Sequence, residues 1–257
     1  MHELIKMGKH NFILSLLGFL LLWQIASESG LVNITLFPPP TEVAAATWEQ
    51  VESGELIEHT TTSLYRVAIG LSIGSILGVV CGLTTGRVQF VHESLSPILH
   101  VFRSFPPVAI IPLIIVWLGI GESAKLFSIS FAVFFPVWIS THSGASGIPV
   151  YYLRASSTLT SSKWKKWRHI VFPASIPFII TGIRTSIGIA YIMVFVSELA
   201  GASRGLGYLI YVSNLTYRID IMMVGLLMLG LLGVLSDTLF VYVSGRIFPW
   251  IRKTNKS

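Results

Sequence analysis

Six apolar stretches, at about 11–27, 62–86, 104–120, 124–142, 177–199 and 221–245, dominate this chain. A helix needs roughly 20 predominantly apolar residues to cross the hydrocarbon core of a bilayer. Each stretch approaches or meets that length, so the sequence predicts an all-α, polytopic membrane bundle of six transmembrane helices. Composition excludes the main alternatives. Only 12% of the 257 residues are charged and 53% are apolar, whereas an ordinary soluble domain carries about 25% charged residues. The mean hydropathy is +0.73. A disordered or nucleic-acid-binding chain does not have this profile, despite the net charge of +6. The single cysteine, Cys81, excludes an internal disulfide or a Cys-based metal cluster. Gly121, Glu122 and Ser123 alone separate the third and fourth stretches, a connection short enough for an antiparallel helical hairpin. No Pro/Ser-rich linker or second hydrophilic domain intervenes, so residues 1–257 read as a single transmembrane domain.

Lys and Arg are retained on the cytoplasmic side of a membrane, which sets orientation. Lys6 and Lys9 precede the first stretch, and no cation follows until Arg66. The intervening segment 28–61 holds Glu42, Glu49, Glu52, Glu55 and Glu58, as expected outside. Segment 143–176 holds Arg154, Lys163, Lys165, Lys166 and Arg168 and no acid, which places it in the cytoplasm. The tail adds Arg246, Arg252, Lys253 and Lys256. Both termini are therefore expected in the cytoplasm, consistent with an even number of spans. A cleaved signal peptide is the alternative for the first stretch, but the run is long and no clean small-x-small site follows it.

Within the second stretch, Gly70, Gly74, Gly78, Gly82 and Gly86 recur at every fourth residue. Residues so spaced share one helix face, and glycines there let another backbone approach closely, which is how helices associate in lipid. The stripe is a packing seam, either fixed or sliding during a conformational cycle. Pro106, Pro107 and Pro112 at the start of the third stretch predict a bent or broken helix. Arg184, Glu198 and Asp237 lie inside predicted spans, where each ionised group costs roughly 2.5–3.5 kcal/mol to insert. At roughly 1.5 Å per residue, Arg184 lies about 10 Å and Asp237 about 12 Å from the cytoplasmic ends of their spans. An intramembrane ion pair between them is available, and a place on a transport pathway is the second reading. Glu198 lies nearer the outer face, within reach of Arg204, Arg218 or Arg66. Gly201, Gly205 and Gly207 lead into Tyr208–Val212, which suits an interfacial or re-entrant outer helix better than a nucleotide loop.

The segment before the fifth stretch is the most informative. Residues 149–159 read as a short helix, Ser161 and Ser162 punctuate, and Lys163-Trp164-Lys165-Lys166-Trp167-Arg168 begins an amphipathic piece. Trp164 and Trp167 share a face among cations, the pattern of an interfacial anchor on an anionic lipid leaflet. In this region the chain resembles the permease subunits of bacterial ABC importers, in the branch that includes nitrate, sulfonate, taurine and bicarbonate permeases. That family carries a Glu-Ala-Ala motif here, with a Gly four residues after the last Ala. The corresponding positions are Arg154-Ala155-Ser156 and Thr160, followed by Phe172-Pro173 at the Leu-Pro place. Arg103-Ser104-Phe105-Pro106-Pro107 with Trp117-Leu118-Gly119, Gly182-Ile183-Arg184, Ser197-Glu198 and Ala202–Ile210 resemble further patterns of the branch, as does Leu36–Pro40. The permease core is expected at about 61–246. Arg154 and Thr160 depart from the motif's Glu and Gly, and Thr would cost on the order of 1 kcal/mol if the glycine's positive φ were kept.

The resemblance implies a type I ABC importer transmembrane fold in a bacterial plasma (inner) membrane. It also implies a second copy of the chain, cytosolic ABC ATPase subunits, and an extracytoplasmic substrate-binding protein. The ATPase-coupling residues would be Tyr152, Arg154, Ala155, Ser156, Leu159, Thr160, Ser161 and Ser162. No GxxxxGK[ST] occurs in the chain, so ATP and Mg are expected on the partner ATPase and no cofactor or catalytic residue here. The implied cargo is a small anion. The rival readings are an ATP-independent secondary transporter or channel, for which internal repeats are not seen, and a membrane-embedded enzyme. The seven histidines form no HExxH and lie outside the spans or near their ends.

Overall fold

The structure, a computed structural model, describes residues 2–30 and 33–250, with side chains from Leu14 onward. Of the cations on which part of the expected orientation rests, Arg252, Lys253 and Lys256 lie outside the described residues, and the side chains of Lys6 and Lys9 are not described. Every regular element among the described residues is helical.

The chain opens with α1 (His2–Glu28) and α2 (Pro40–Glu52). Pro40 starts α2 because a proline at the first helical position has its φ preset and forfeits no bond. The end of α1 is tied to this entry by Trp23 Nε1, which donates to the Pro38 carbonyl at 3.1 Å, and by Ser27 Oγ, which donates to the Phe37 carbonyl. Two long helices, α3 (Glu55–Arg87) and α6 (Glu122–Ser146), then form the centre of the bundle. Their contact is the glycine seam. A Cβ on Gly70 would meet Ile129, on Gly74 Val133, on Gly78 Val137, on Gly82 Thr141 and on Gly86 Ala145, all at 2.5–3.0 Å. Partner numbers rise in step along both helices, so α3 and α6 are parallel.

Parallel neighbours dictate what lies between them. The chain must return the length of α3 before α6 begins, and the only helices there are α4 (Gln89–Arg103) and α5 (Pro107–Leu118), bent by 99° at their junction. Together they make one crossing. This corrects the third predicted span: within 104–120 only Pro107–Leu118 is helical, and the crossing extends back through α4, broken where Pro106 precedes Pro107 and leaves the helical region. Pro106 has φ −61° and ψ 120°. The remaining 12 residues of α5 are too short to span alone, and the amphipathic α4 supplies the rest.

After α6 come α7 (Val150–Leu159), α8 (Lys163–Lys166), a π-helical turn at Trp167–Val171 and α9 (Phe172–Leu199). The last three form one helical run of 37 residues, so the helix that carries the fifth span begins well before residue 177. The widened turn precedes Pro173, whose ring would otherwise crowd the carbonyl four residues earlier. Helix α9 lies antiparallel on α6, with Gly182 against Ser140 and Val137, and Ser186 Oγ donating to the Val133 carbonyl at 3.3 Å. A short α10 (Leu206–Leu215) and the long α11 (Ile219–Ile247) complete the bundle.

Among the described residues, four helices are long and apolar enough to cross a membrane, and the bent pair makes five. The first predicted span, 11–27, falls on α1, whose apolar part with described side chains is Leu14–Glu28. The count of six therefore rests partly on residues whose side chains are not described.

Candidate functional site

One end of the bundle carries α7 and the other carries α10, and the two are built on opposite principles. At the α7 end almost nothing is buried. Of its ten residues only Ser156 is, its Oγ donating to the Leu153 carbonyl at 2.7 Å. Tyr151, Tyr152, Arg154, Ala155 and Leu159 are exposed, Leu159 at 85%. No side chain caps the helix N-terminus, although isolated helices shorter than about 12–15 residues are marginal in water. Arg154 makes no ion pair with any described residue.

The chain leaves α7 through Thr160 at φ −156° and ψ 137°, an extended conformation open to any residue. The cost anticipated for Thr at a glycine position is therefore not incurred. Thr160 Oγ1 instead accepts from Ser162 N at 3.2 Å, and Ser162 Oγ caps α8 by accepting from Lys165 N at 3.4 Å. Ser161 is exposed beside them.

At the α10 end a polar network is buried around Arg66 and Glu198, with Glu122 at its exposed edge. Glu198, 1% exposed, accepts from Ser63 Oγ at 2.8 Å, from Arg66 Nη1 at 2.8 Å and from the Gly207 amide at 2.8 Å. Arg66, 3% exposed, also donates to the Arg204 carbonyl at 2.7 Å and makes a two-pronged pair with Glu122, whose Oε2 lies 2.8 Å from its Nε. The Leu206 amide donates to Ser63 Oγ at 2.8 Å and the Gly205 amide to His59 Nδ1 at 3.0 Å. These amides are the unpaired donors that every helix N-terminus presents, so α3 and α9 cap α10 with three side chains. The glycines follow from this. Gly205 has φ +122° and a Cβ there would land on the Glu198 carboxylate; a Cβ on Gly207 would sit 2.6 Å from the Phe195 carbonyl oxygen.

Of the three cations in reach of Glu198, the structure pairs it with Arg66. Arg204 pairs with Glu58 at 2.8 Å, and Arg218 with Glu49 and Asp220, both at 2.9 Å. Hydrogen bonds to Asp220 and then Glu49 push the Arg218 pKa up. His59, Ser63 and Glu122 were not among the residues singled out from sequence. For the two on α3 the signal is the polar stripe His59, Ser63, Arg66, whose spacings of four and three put them on one helix face.

Between the ends, Arg184 of α9 and Asp237 of α11 form a two-pronged ion pair, Nε to Oδ1 at 2.8 Å and Nη2 to Oδ2 at 3.0 Å. Arg184 and Asp237 keep side-chain exposures of 56% and 36%. The pair thus faces outward from the single chain at mid-depth, where an ionised group is expensive in lipid. That location calls for a second protein surface or a water-filled path beside it. Among the described residues no cluster of three or more His, Cys, Asp or Glu is arranged to hold a metal.

Comparison with known proteins matches residues 74–249 to the family described as binding-protein-dependent transport system inner membrane component. An aliphatic sulfonates transport permease of Bacillus subtilis is 31% identical over 89% of this chain and 83% of its own length. A taurine transport system permease of Escherichia coli is 27% identical over 90% and 86%. A nitrate import permease of Synechocystis is 28% identical over 90% and 86%. Among solved structures, a chain of the MetNI methionine ABC transporter in an inward-facing conformation superposes with a TM-score of 0.60 at 20% identity, covering 76% of this chain and 95% of that one. A chain of an amino acid ABC transporter gives 0.59 at 15% identity, covering 78% and 96%.

Proposed function

The chain belongs to the family of binding-protein-dependent transport system inner membrane components, and we propose that two copies of it form the pathway for a small anion of the sulfonate, taurine or nitrate kind. It is a membrane-embedded permease subunit of an ABC importer with the type I importer fold, and ATP hydrolysis belongs to a separate subunit.

The observation that carries the coupling role is the unsupported state of α7. A ten-residue helix that buries one serine and presents Tyr151, Tyr152, Leu159 and an unpaired Arg154 needs a partner to cover it. The ATPase is that partner, and α7 lies in a groove of its surface with Arg154 facing an acidic group. Segment 143–176 is then cytoplasmic, as its five cations and lack of acids require. Both termini lie on that side, and the α10 end with segment 28–61 faces the binding protein.

Closure of the ATPases displaces α7, and the 37-residue helical run from Lys163 to Leu199 carries that displacement across the membrane. Arg184 lies midway along this run and Glu198 near its far end. In a pair of copies the exposed Arg184–Asp237 faces line the path. Asp237 holds Arg184 in place and offsets its charge, so an anion passes a weakly rather than strongly binding cation.

The test is ATP-driven uptake of radiolabelled taurine, nitrate and an alkanesulfonate into vesicles holding the chain with its ATPase and binding protein. Uptake of one anion that stops without ATP is expected. Arg154→Glu is expected to abolish copurification of the ATPase. ATP-independent uptake, or an Arg154→Glu complex that assembles and transports normally, would overturn the reading.

A further inference from the structure

A groove of about 490 Å³ opens at the α7 end, on the outer side of the bundle, where the last turns of α3 meet α8, the π turn and the start of α9. Its volume lies in the range of about 300–1,000 Å³ typical of ligand sites. Val80 and Leu83 of α3 form one wall, Trp164, Trp167 and Phe172 form the other, and Arg168 is the one charged side chain at its lining. Trp164 is 73% exposed and Val80 57%, so large apolar surfaces face each other across a gap that none of the described residues fills.

The charge around this gap has one sign. Lys163, Lys165 and Arg168 are exposed beside it, and segment 143–176 contains no acid. Lys166 is turned away and donates to Ser157 Oγ at 3.0 Å. Glu93, the one acid of α4, accepts from Gln89 Nε2 at 2.8 Å and is not among the residues that line the groove. The π turn fixes the geometry. Residues five apart diverge around a regular α-helix, and the wider turn at Trp167–Val171 brings Trp167 and Phe172 toward the same side, where with Trp164 they line one wall.

We propose that this groove is a binding site for one anionic phospholipid. An acyl chain lies between Val80, Leu83 and the two tryptophans, and the phosphate meets the Arg168 guanidinium. Tryptophans of this kind settle at headgroup level and cations there attract anionic lipid. The groove differs from a general interfacial anchor in that it has two walls, contributed by helices far apart in sequence. A bound lipid therefore bridges α3 to the helical run that begins at α8. The proposal rests on the α7 end lying at a membrane surface and on no assignment of cargo or ATPase.

The experiment is native mass spectrometry of the full-length chain in a nonionic detergent, titrated with phosphatidylglycerol or phosphatidylcholine of identical acyl chains. One phosphatidylglycerol is expected to be retained roughly fivefold more tightly than phosphatidylcholine, the preference that a single cation at a membrane surface supplies. Arg168→Gln is expected to bring the two lipids level, and Leu83→Phe, which fills the slot, to remove tight retention of both. Glycerol phosphate, which carries the charge without the chain, is expected not to compete. Equal retention of both lipids by the parent chain would overturn the proposal, as would a preference that survives Arg168→Gln or displacement by glycerol phosphate. Unchanged thermal unfolding of each variant in lipid-free detergent separates loss of the site from loss of the fold. The measurement needs no ATPase, so its failure is distinct from failure of the transport reading.

Discussion

Arg66 and Glu198 are each buried in a salt bridge, yet their removal has unequal consequences. Arg66 has two carboxylates, Glu122 and Glu198, whereas Glu198 has one cation. Replacing Arg66 with Met leaves Glu198 charged, 1% exposed, and held only by Ser63 and the Gly207 amide. An uncompensated buried charge of this kind costs about 3–5 kcal/mol. Glu198→Gln removes the charge instead and leaves Arg66 paired with Glu122 and the Arg204 carbonyl, a loss of about 1–3 kcal/mol, typical of breaking hydrogen bonds to a charged group. Because the network caps α10, the cost appears as local opening there. Hydrogen exchange of the Gly205, Leu206 and Gly207 amides in the assembled transporter is expected to accelerate about 10²- to 5 × 10³-fold in Arg66→Met. The double variant Arg66→Met with Glu198→Gln is expected to exchange more slowly than Arg66→Met alone, because the stranded charge is gone. Glu198→Gln opening α10 as far as Arg66→Met, or a double variant with additive losses, would refute the argument.

Three further outcomes follow from the backbone. Gly74→Ala places a Cβ 2.5 Å from the Ser130 carbonyl oxygen, and overpacking of this kind is expected to cost about 1–3 kcal/mol. Gly188→Ala, with nothing within 4 Å, is expected to gain up to about 1 kcal/mol from helix propensity; thermal unfolding in one detergent should show opposite signs, and a shared sign contradicts the seam. Gly205→Ala drives a methyl into the Glu198 carboxylate and should reproduce the α10 exchange pattern of Arg66→Met, with α7 exchange unchanged. Thr160→Gly should leave ATPase copurification as it is, because Thr160 already occupies an extended conformation; tighter assembly would show that the complex selects a positive φ there.

Much of the fold was legible because a membrane span is a long, uninterrupted signal. The glycine stripe likewise announced a close helix contact, but not its partner or direction, since a four-residue repeat meets any helix equally well in either sense. The order of the spans already made the second and fourth parallel, with the 104–120 stretch crossing between them, so what stayed hidden was that these two are the pair that meets at the seam. The break before Pro107 was visible in the prolines. Helix α4 was not, because His92, Glu93, Ser96, His100 and Arg103 dilute its apolar face below the level of a span. Matched depth was enough to suggest Arg184 with Asp237. Depth alone left Glu198 with three candidate cations, because the choice depends on direction around the helix axis. That information lay in the spacing of His59, Ser63 and Arg66.

The two ends of the run from Lys163 to Leu199 differ in what they can absorb. At its far end, Glu198 is locked to α3 and α10 by hydrogen bonds from Ser63, Arg66 and Gly207, and each partner is itself engaged. At its near end, α7 is connected through an extended Thr160 and buries one serine. Displacement applied at α7 therefore meets a stiff helix anchored by a satisfied polar network, and little of it can be lost by local opening at Glu198, where opening would strand a buried charge. The bend between α4 and α5 and the exposed Arg184–Asp237 pair lie outside this network. On the transport reading, work delivered by the ATPase thus reaches the middle of the membrane as movement of α9 with α3 and α10 together, and the ion pair at mid-depth lies on the surface that this movement shifts.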